Sequence, residues 1–119
     1  GNGTVFDHFV SLTKPEDLNF EMDVFWIKQP GQDPLALLKK YPTRFKLMHL
    51  KDRKPGTPDS HNGQADVEAN VTLGQGDVGI EALVREARRL KLDYLFIEDE
   101  SSRSLTQVPE SLRFLKWLK

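Results

Sequence analysis

Three side chains able to carry a proton or bind a metal ion, Asp23, His49 and Glu98, each stand at the polar end of an apolar stretch. The richest of these stretches is Phe45-Lys46-Leu47-Met48-His49-Leu50-Lys51-Asp52. Strand side chains alternate between faces, which puts Phe45, Leu47, His49 and Lys51 on one side and Met48 and Leu50 on the other. Asp23 closes Phe20-Glu21-Met22-Asp23, and Glu98 follows Tyr94-Leu95-Phe96-Ile97. Neighbouring parallel strands lie about 4.8 Å apart, so residues at equivalent heights on three of them can meet at one small object. An Asp, a His and a Glu would suit Mn²⁺, Mg²⁺, Co²⁺ or Zn²⁺ at about 2.0–2.2 Å per bond, and the donor set does not choose among them. The plainer alternative is that acidic residues often end strands and that a lone His after apolar residues is often a structural imidazole.

Other residues join this group by position. Lys51 shares His49's face and could steady developing oxyanion charge or a substrate phosphate, or simply pair with Glu21, Asp23 or Glu100. Glu100 shares Glu98's face and could orient His49 or Lys51, or be a solvated loop carboxylate, which is the commoner fate. Trp26 is either an apolar wall for a sugar-like ring or an ordinary buried aromatic. Asp52 fits a turn-former better than a catalyst. Gly74-Gln75-Gly76 could offer backbone N–H groups to an anion or merely make a tight turn. His8 and His61 have no partners at useful spacing.

The elements that must position these residues follow from periodicity. Val5 to Leu12 has helical spacing and stops at Thr13-Lys14-Pro15. Leu18 to Trp26 alternates as a first strand, its second face acidic through Glu21 and Asp23. Asp33-Pro34 caps a helix through Leu35, Leu38 and Tyr41. Arg44 to Lys51 is the second strand. The polar segment from Asp52 to Gly76 is punctuated by Pro55, Gly56, Pro58 and Gly63, and its length and composition fit a lid or a disordered loop. Asp77 is expected to cap a helix with Ile80, Leu83, Val84, Ala87 and Leu90 on one stripe. Leu92 to Glu100 is the third strand. Gln107 to Leu118 gives a last helix, with Val108, Leu112, Leu115 and Trp117-Leu118 toward a core and Pro109 in its first turn. Helices alternating with apolar strands predict an α/β fold, with parallel strands joined by right-handed crossovers and buried on both faces.

Composition narrows the function classes. The 119 residues are enough for one modest domain at most, taken as 1–119. With 17 basic and 18 acidic residues the net charge is −1, so no field draws the chain to nucleic acid or an anionic membrane, and neither partner is expected. There is no Cys, so a metal site must use His, Asp and Glu. The opening Gly1-Asn2-Gly3-Thr4 has no secretory pattern and reads as the middle of something longer or a processed end. The compartment stays open, with the cytoplasm favoured.

Taken in order, Phe20-Glu21-Met22-Asp23-Val24-Phe25-Trp26, Gly31-Gln32-Asp33-Pro34, Tyr41-Pro42-Thr43-Arg44, His49-Leu50-Lys51-Asp52, Leu73-Gly74-Gln75-Gly76 and Phe96-Ile97-Glu98 resemble the xylose-isomerase-like sugar phosphate isomerase/epimerase superfamily. The resemblance implies a partial (β/α)₈ TIM barrel, its three parallel strands equivalent to strands 6 to 8, with flanking helices. It also implies metal ligands at Asp23, His49 and Glu98, with Glu98 doubling as acid/base group. The implied chemistry is proton abstraction next to a carbonyl through a metal-stabilised enediolate, on a sugar or sugar phosphate. The family's fourth ligand, a Glu ending the fifth strand, would precede the first residue here. Some epimerases carry a His where this chain has Trp26. The remaining expectations are a non-catalytic barrel fragment or assembly module with idle ligands, and a dehydratase or keto-glycoside lyase on the same metal site. Three strands alone leave two edges and an inner face containing Leu47 and Phe96 uncovered, so the chain is expected to associate with the missing strands or with itself.

Overall fold

Apolar β-formers at Phe20, Met22, Phe45, Leu47, Leu50, Leu95 and Ile97 build a three-stranded parallel sheet in the computed structural model, which describes residues 3–118. Its strands are β1 (Phe20–Asp23), β2 (Phe45–Leu50) and, in spatial order, β5 (Tyr94–Ile97), with β2 in the centre. The helices are α1 (Val5–Ser11), α2 (Val24–Lys28), α3 (Pro34–Lys40), α4 (Ile80–Arg89) and α5 (Ser104–Trp117). A small antiparallel pair, β3 (Asp52–Arg53) and β4 (Asn70–Val71), lies between β2 and α4 in the chain. This is the α/β architecture that the alternating pattern predicts.

One face of the sheet makes the core. Met22, Met48 and Leu50 are buried there with Leu38, Leu83, Val84, Ile80 and Ala87. Each fully buried aliphatic side chain stabilises the fold by about 1.5–3 kcal/mol, so the α4 stripe is a main contributor. The other face is open: Tyr94 is 67 % and Phe96 43 % exposed. Burial on both faces is therefore corrected, since among the described residues only one face is covered by helices.

Three local expectations also change. The first strand ends at Asp23 because its carboxylate accepts from the N–H groups of Phe25 and Trp26, which turns Val24 onward into α2. Asp77 does not cap α4, because both its oxygens bind the Arg53 guanidinium; Gly79, at φ +89°, occupies the cap position. The last helix begins at Ser104, which places Pro109 beyond the first turn, and Leu112 and Trp117 face outward while Gln107 and Ser111 are buried.

The segment after β2 is pinned down. Asp52, 1 % exposed, accepts from the N–H groups of Arg53, Gly74, Gly76 and Val78. Burial pushes its carboxyl above its ordinary pKa while those donors pull it down. Gly76 is required here, since a Cβ would lie 2.2 Å from Asp52 Oδ1. Arg53, 3 % exposed, reaches Gln29, Asp59 and Asp77, closing the segment over α2. Asp52→Ala strips an acceptor from several enclosed N–H groups, each costing about 1–3 kcal/mol when orphaned. Urea denaturation should show a loss of about 3 kcal/mol or more; a loss below about 1 kcal/mol would contradict this account of the segment.

Candidate functional site

The parallel register sets Asp23 opposite His49, and His49 opposite Phe96. The Glu98 N–H, one residue past β5, donates to the Leu50 carbonyl at 3.0 Å, which carries the ladder one step higher and returns Glu98 to His49's face. Asp23, His49 and Glu98 thereby each offer a donor atom within 4.8 Å of the others, at the C-terminal rim of the sheet. Parallel α/β folds bind ligands at this rim.

Each side chain is held by a distinct local cause. Asp23 spends only Oδ1 on capping α2, at 3.1 and 3.2 Å, and Oδ2 makes no hydrogen bond among the described residues. His49 lies between two carboxylates: Nδ1 is 2.8 Å from Glu98 Oε2 and Nε2 is 2.6 Å from Glu21 Oε1. The Phe96 ring packs beside it, 5.6 Å between centroids. Lys51 has a buried side chain, with Nζ 2.7 Å from Glu100 Oε2 and 3.8 Å from Glu98 Oε1. Its ammonium lies 5.2 Å from the Phe25 ring centre and 5.8 Å from that of Trp26. Glu100 is itself fixed from below, its N–H donating to the side-chain oxygen of buried Asn70.

Asp23, His49, Glu98, Lys51, Glu100, Glu21 and Trp26 thus share one rim, and the structure selects among the partnerships open to them. Glu21 holds His49 and not Lys51, because it projects beside Asp23 over β2. Lys51 pairs with Glu100 and Glu98 and with neither Glu21 nor Asp23. Trp26 is 37 % exposed and lies on α2, so it is not a buried strand-end aromatic. With Glu21, Met22 and Asp23 it borders a groove of about 560 Å³ between β1 and helices α1 to α3. Asn70 escaped notice because nothing in the polar Asp52 to Gly76 stretch distinguishes one Asn from another. His8 and His61 stay outside the cluster.

The electrostatics are those of a negative site around one imidazole. Burial, reinforced by the Glu98 charge, raises the Asp23 carboxyl above its ordinary value. Hydrogen bonding to Glu98, with the Glu21 and Asp23 charges behind it, raises the His49 imidazole above 6.5. The donors fit a divalent cation. A carboxylate oxygen of Asp23, an imidazole nitrogen and a carboxylate oxygen of Glu98 converge, excess negative charge surrounds them, and Glu21 stands at the far ring nitrogen, where an orienting carboxylate belongs.

Two solved structures share this architecture. A sugar phosphate isomerase/epimerase from Parabacteroides distasonis aligns over 99% of this chain and 39% of its own, with a TM-score of 0.74 and 23% identity. A second sugar phosphate isomerase/epimerase from the same organism aligns over 98% of this chain and 36% of its own, with a TM-score of 0.67 and 24% identity. No family model matches the chain, and no curated protein matches it. The likeness establishes the fold: this chain is built like part of a TIM-barrel isomerase/epimerase, spanning less than two fifths of the length of those two proteins.

In the ion-free chain the folded pKa of His49 exceeds the unfolded value near 6.5. Its pairing therefore stabilises the fold fully below that pH, and the contribution is lost as pH rises through the folded value. Histidine ring resonances followed by NMR should titrate above pH 6.5 for His49, and Glu98→Gln should move the midpoint downward. A midpoint at or below 6.5 in the unsubstituted chain would show that the carboxylates do not act on the ring.

Proposed function

We propose that this chain contributes the metal-binding rim of a sugar or sugar phosphate isomerase/epimerase that works by moving a proton at a carbon next to a carbonyl. The observation that carries it is the convergence of Asp23, His49 and Glu98 within 4.8 Å, with Glu21 on the outer nitrogen of His49. Asp23, His49 and Glu98 are the groups that would hold a divalent ion. When bound, such an ion supplies Lewis acidity to adjacent carbonyl and hydroxyl oxygens.

The chain's own residues divide the remaining work. Glu98 accepts the carbon-bound proton and returns it to the neighbouring carbon, or keeps it while a partner carboxylic acid delivers its own proton to the same carbon from the opposite face. That partner is the carboxylate which the family resemblance puts upstream of these strands. Lys51 brings a fixed ammonium to the oxygen that gains negative charge, and the two rings beside it keep water away. Glu100 keeps that ammonium in place at 2.7 Å. Trp26 walls the side toward the groove. Completion of the barrel, by the missing strands or another copy, belongs to the same proposal.

A second reading has its own observation. With Tyr94 and Phe96 exposed on an uncovered sheet face, the chain also suits an assembly module whose donor positions are idle.

Calorimetric titration with Mn²⁺ separates the two. A live site binds the ion and loses at least about a hundredfold in affinity in His49→Ala, in keeping with removal of a ligand. No binding, even when upstream barrel strands are supplied, selects the idle module. Solvent deuterium should then enter candidate ketoses at the carbon next to the carbonyl, and Glu98→Gln should slow that exchange by about 10²–10⁴. Exchange that is unchanged in Glu98→Gln would remove Glu98 from the proton transfer.

A further inference from the structure

Within the sugar isomerase/epimerase reading, on which this inference rests, we propose that the substrate is an uncharged polyhydroxy aldehyde or ketone and not a phosphate ester. Parallel α/β folds seat phosphate groups at the C-terminal ends of strands, on backbone N–H groups of glycine-rich loops, on helix N-termini and on arginines. This chain has such donors in both loops that leave the rim after β2 and β5. In each loop, its own carboxylates already occupy the loop N–H groups and the arginine, while the first turns of α4 and α5 carry no side-chain cap.

After β2, the N–H groups of Gly74 and Gly76 both donate to Asp52 Oδ2 at 2.9 Å, and that of Val78 donates to Oδ1 at 3.2 Å. A carboxylate thus fills the concave amide array in the way a phosphate would. The nearby Arg53 is committed to Asp77 through two nitrogens, at 3.0 and 2.9 Å, and to Asp59 at 2.9 Å. After β5, the Ser101 N–H donates to Asp99 at 2.8 Å and the Ser102 N–H to Glu68 at 2.8 Å. Arg103, at the start of α5, donates to Glu68 at 2.6 Å. An incoming phosphate would have to displace a tethered anion at either place.

The charge around the donor triad points the same way. Against the four carboxylates Glu21, Asp23, Glu98 and Glu100 stands one ammonium, Lys51, which already lies 2.7 Å from Glu100 and 3.8 Å from Glu98. A divalent ion leaves this group net negative, and a phosphate dianion added beside it is repelled. A neutral sugar meets no such penalty. Its hydroxyl groups can donate to the carboxylates, and its carbon face can rest on the exposed part of Trp26.

The test is a pair of NMR titrations of the isotope-labelled chain, with upstream barrel strands supplied, in saturating Mg²⁺ at constant ionic strength, one with D-fructose and one with D-fructose 6-phosphate. The assigned Trp26 indole and His49 signals are the readout. The expected result is that the free ketose perturbs both signals with at least tenfold higher affinity than its phosphate. Equal or tighter binding of the phosphate ester overturns the proposal while leaving the isomerase/epimerase reading intact. Perturbation by neither compound overturns that reading and the proposal with it. Glu100→Gln removes one repelling charge at a half-exposed side chain, so the fold should persist by circular dichroism and the preference for the free ketose should narrow at least threefold. An unchanged preference in that variant overturns the electrostatic argument.

Discussion

The structure depends on the register of one central strand. β2 pairs in parallel with β1 on one side and β5 on the other, and this places Asp23 beside His49 and brings Glu98 up one rung above Phe96. A slip of one residue in either ladder would send an acidic group to the helix-covered face, where Met22, Met48 and Leu50 are packed without contact with water. The same apolar side chains that stabilise the sheet therefore fix the chemistry at its rim. Stability and site geometry are not independent here, because period-two alternation assigns every strand residue to one or the other.

Around that rim the chain manages an excess of carboxylates by giving each a separate task. Asp23 starts a helix with one oxygen and keeps the other out of any hydrogen bond among the described residues. Glu21 and Glu98 take the two ring nitrogens of His49, and Glu100 takes Lys51. Behind them, Asp52 serves wholly as backbone support, drawing the residues after β4 back over the end of β2. Buried Arg53 ties the same segment to α2 and to the start of the α4 region through Gln29 and Asp77. A long polar loop becomes an ordered floor because its charged residues find partners within the chain. A solvated lid would leave them to water.

The open face of the sheet is the structural counterpart of a barrel interior. Tyr94 and Phe96 stack on each other, 6.2 Å between ring centres, on a surface that no helix of the described residues covers. At the opposite edge, the groove beside β1 is lined by Phe6, Met22 and Phe45. Both features are those of an open arc of strands, which aligns with only part of the two isomerase/epimerase structures. The fold explains where a ligand belongs; the chemistry must come from the side chains gathered there.

The sequence by itself determined the alternation of helices and parallel strands, the stripe of α4 and the three strand ends that carry Asp23, His49 and Glu98. Those are local consequences of side-chain periodicity, readable without knowing what packs on what. It did not determine where the first strand stops, because Val24, Phe25 and Trp26 are good strand formers and only the capping carboxylate of Asp23 turns them into helix. Nor did it determine which acid pairs with which base. Glu21 could serve His49 or Lys51, and Asp77 could cap α4 or bind Arg53; both choices rest on distances across the chain that only the folded sheet sets. Asn70 shows the limit most clearly: its side chain supports Glu100 from 30 residues away, and no local pattern records a contact made by tertiary packing alone.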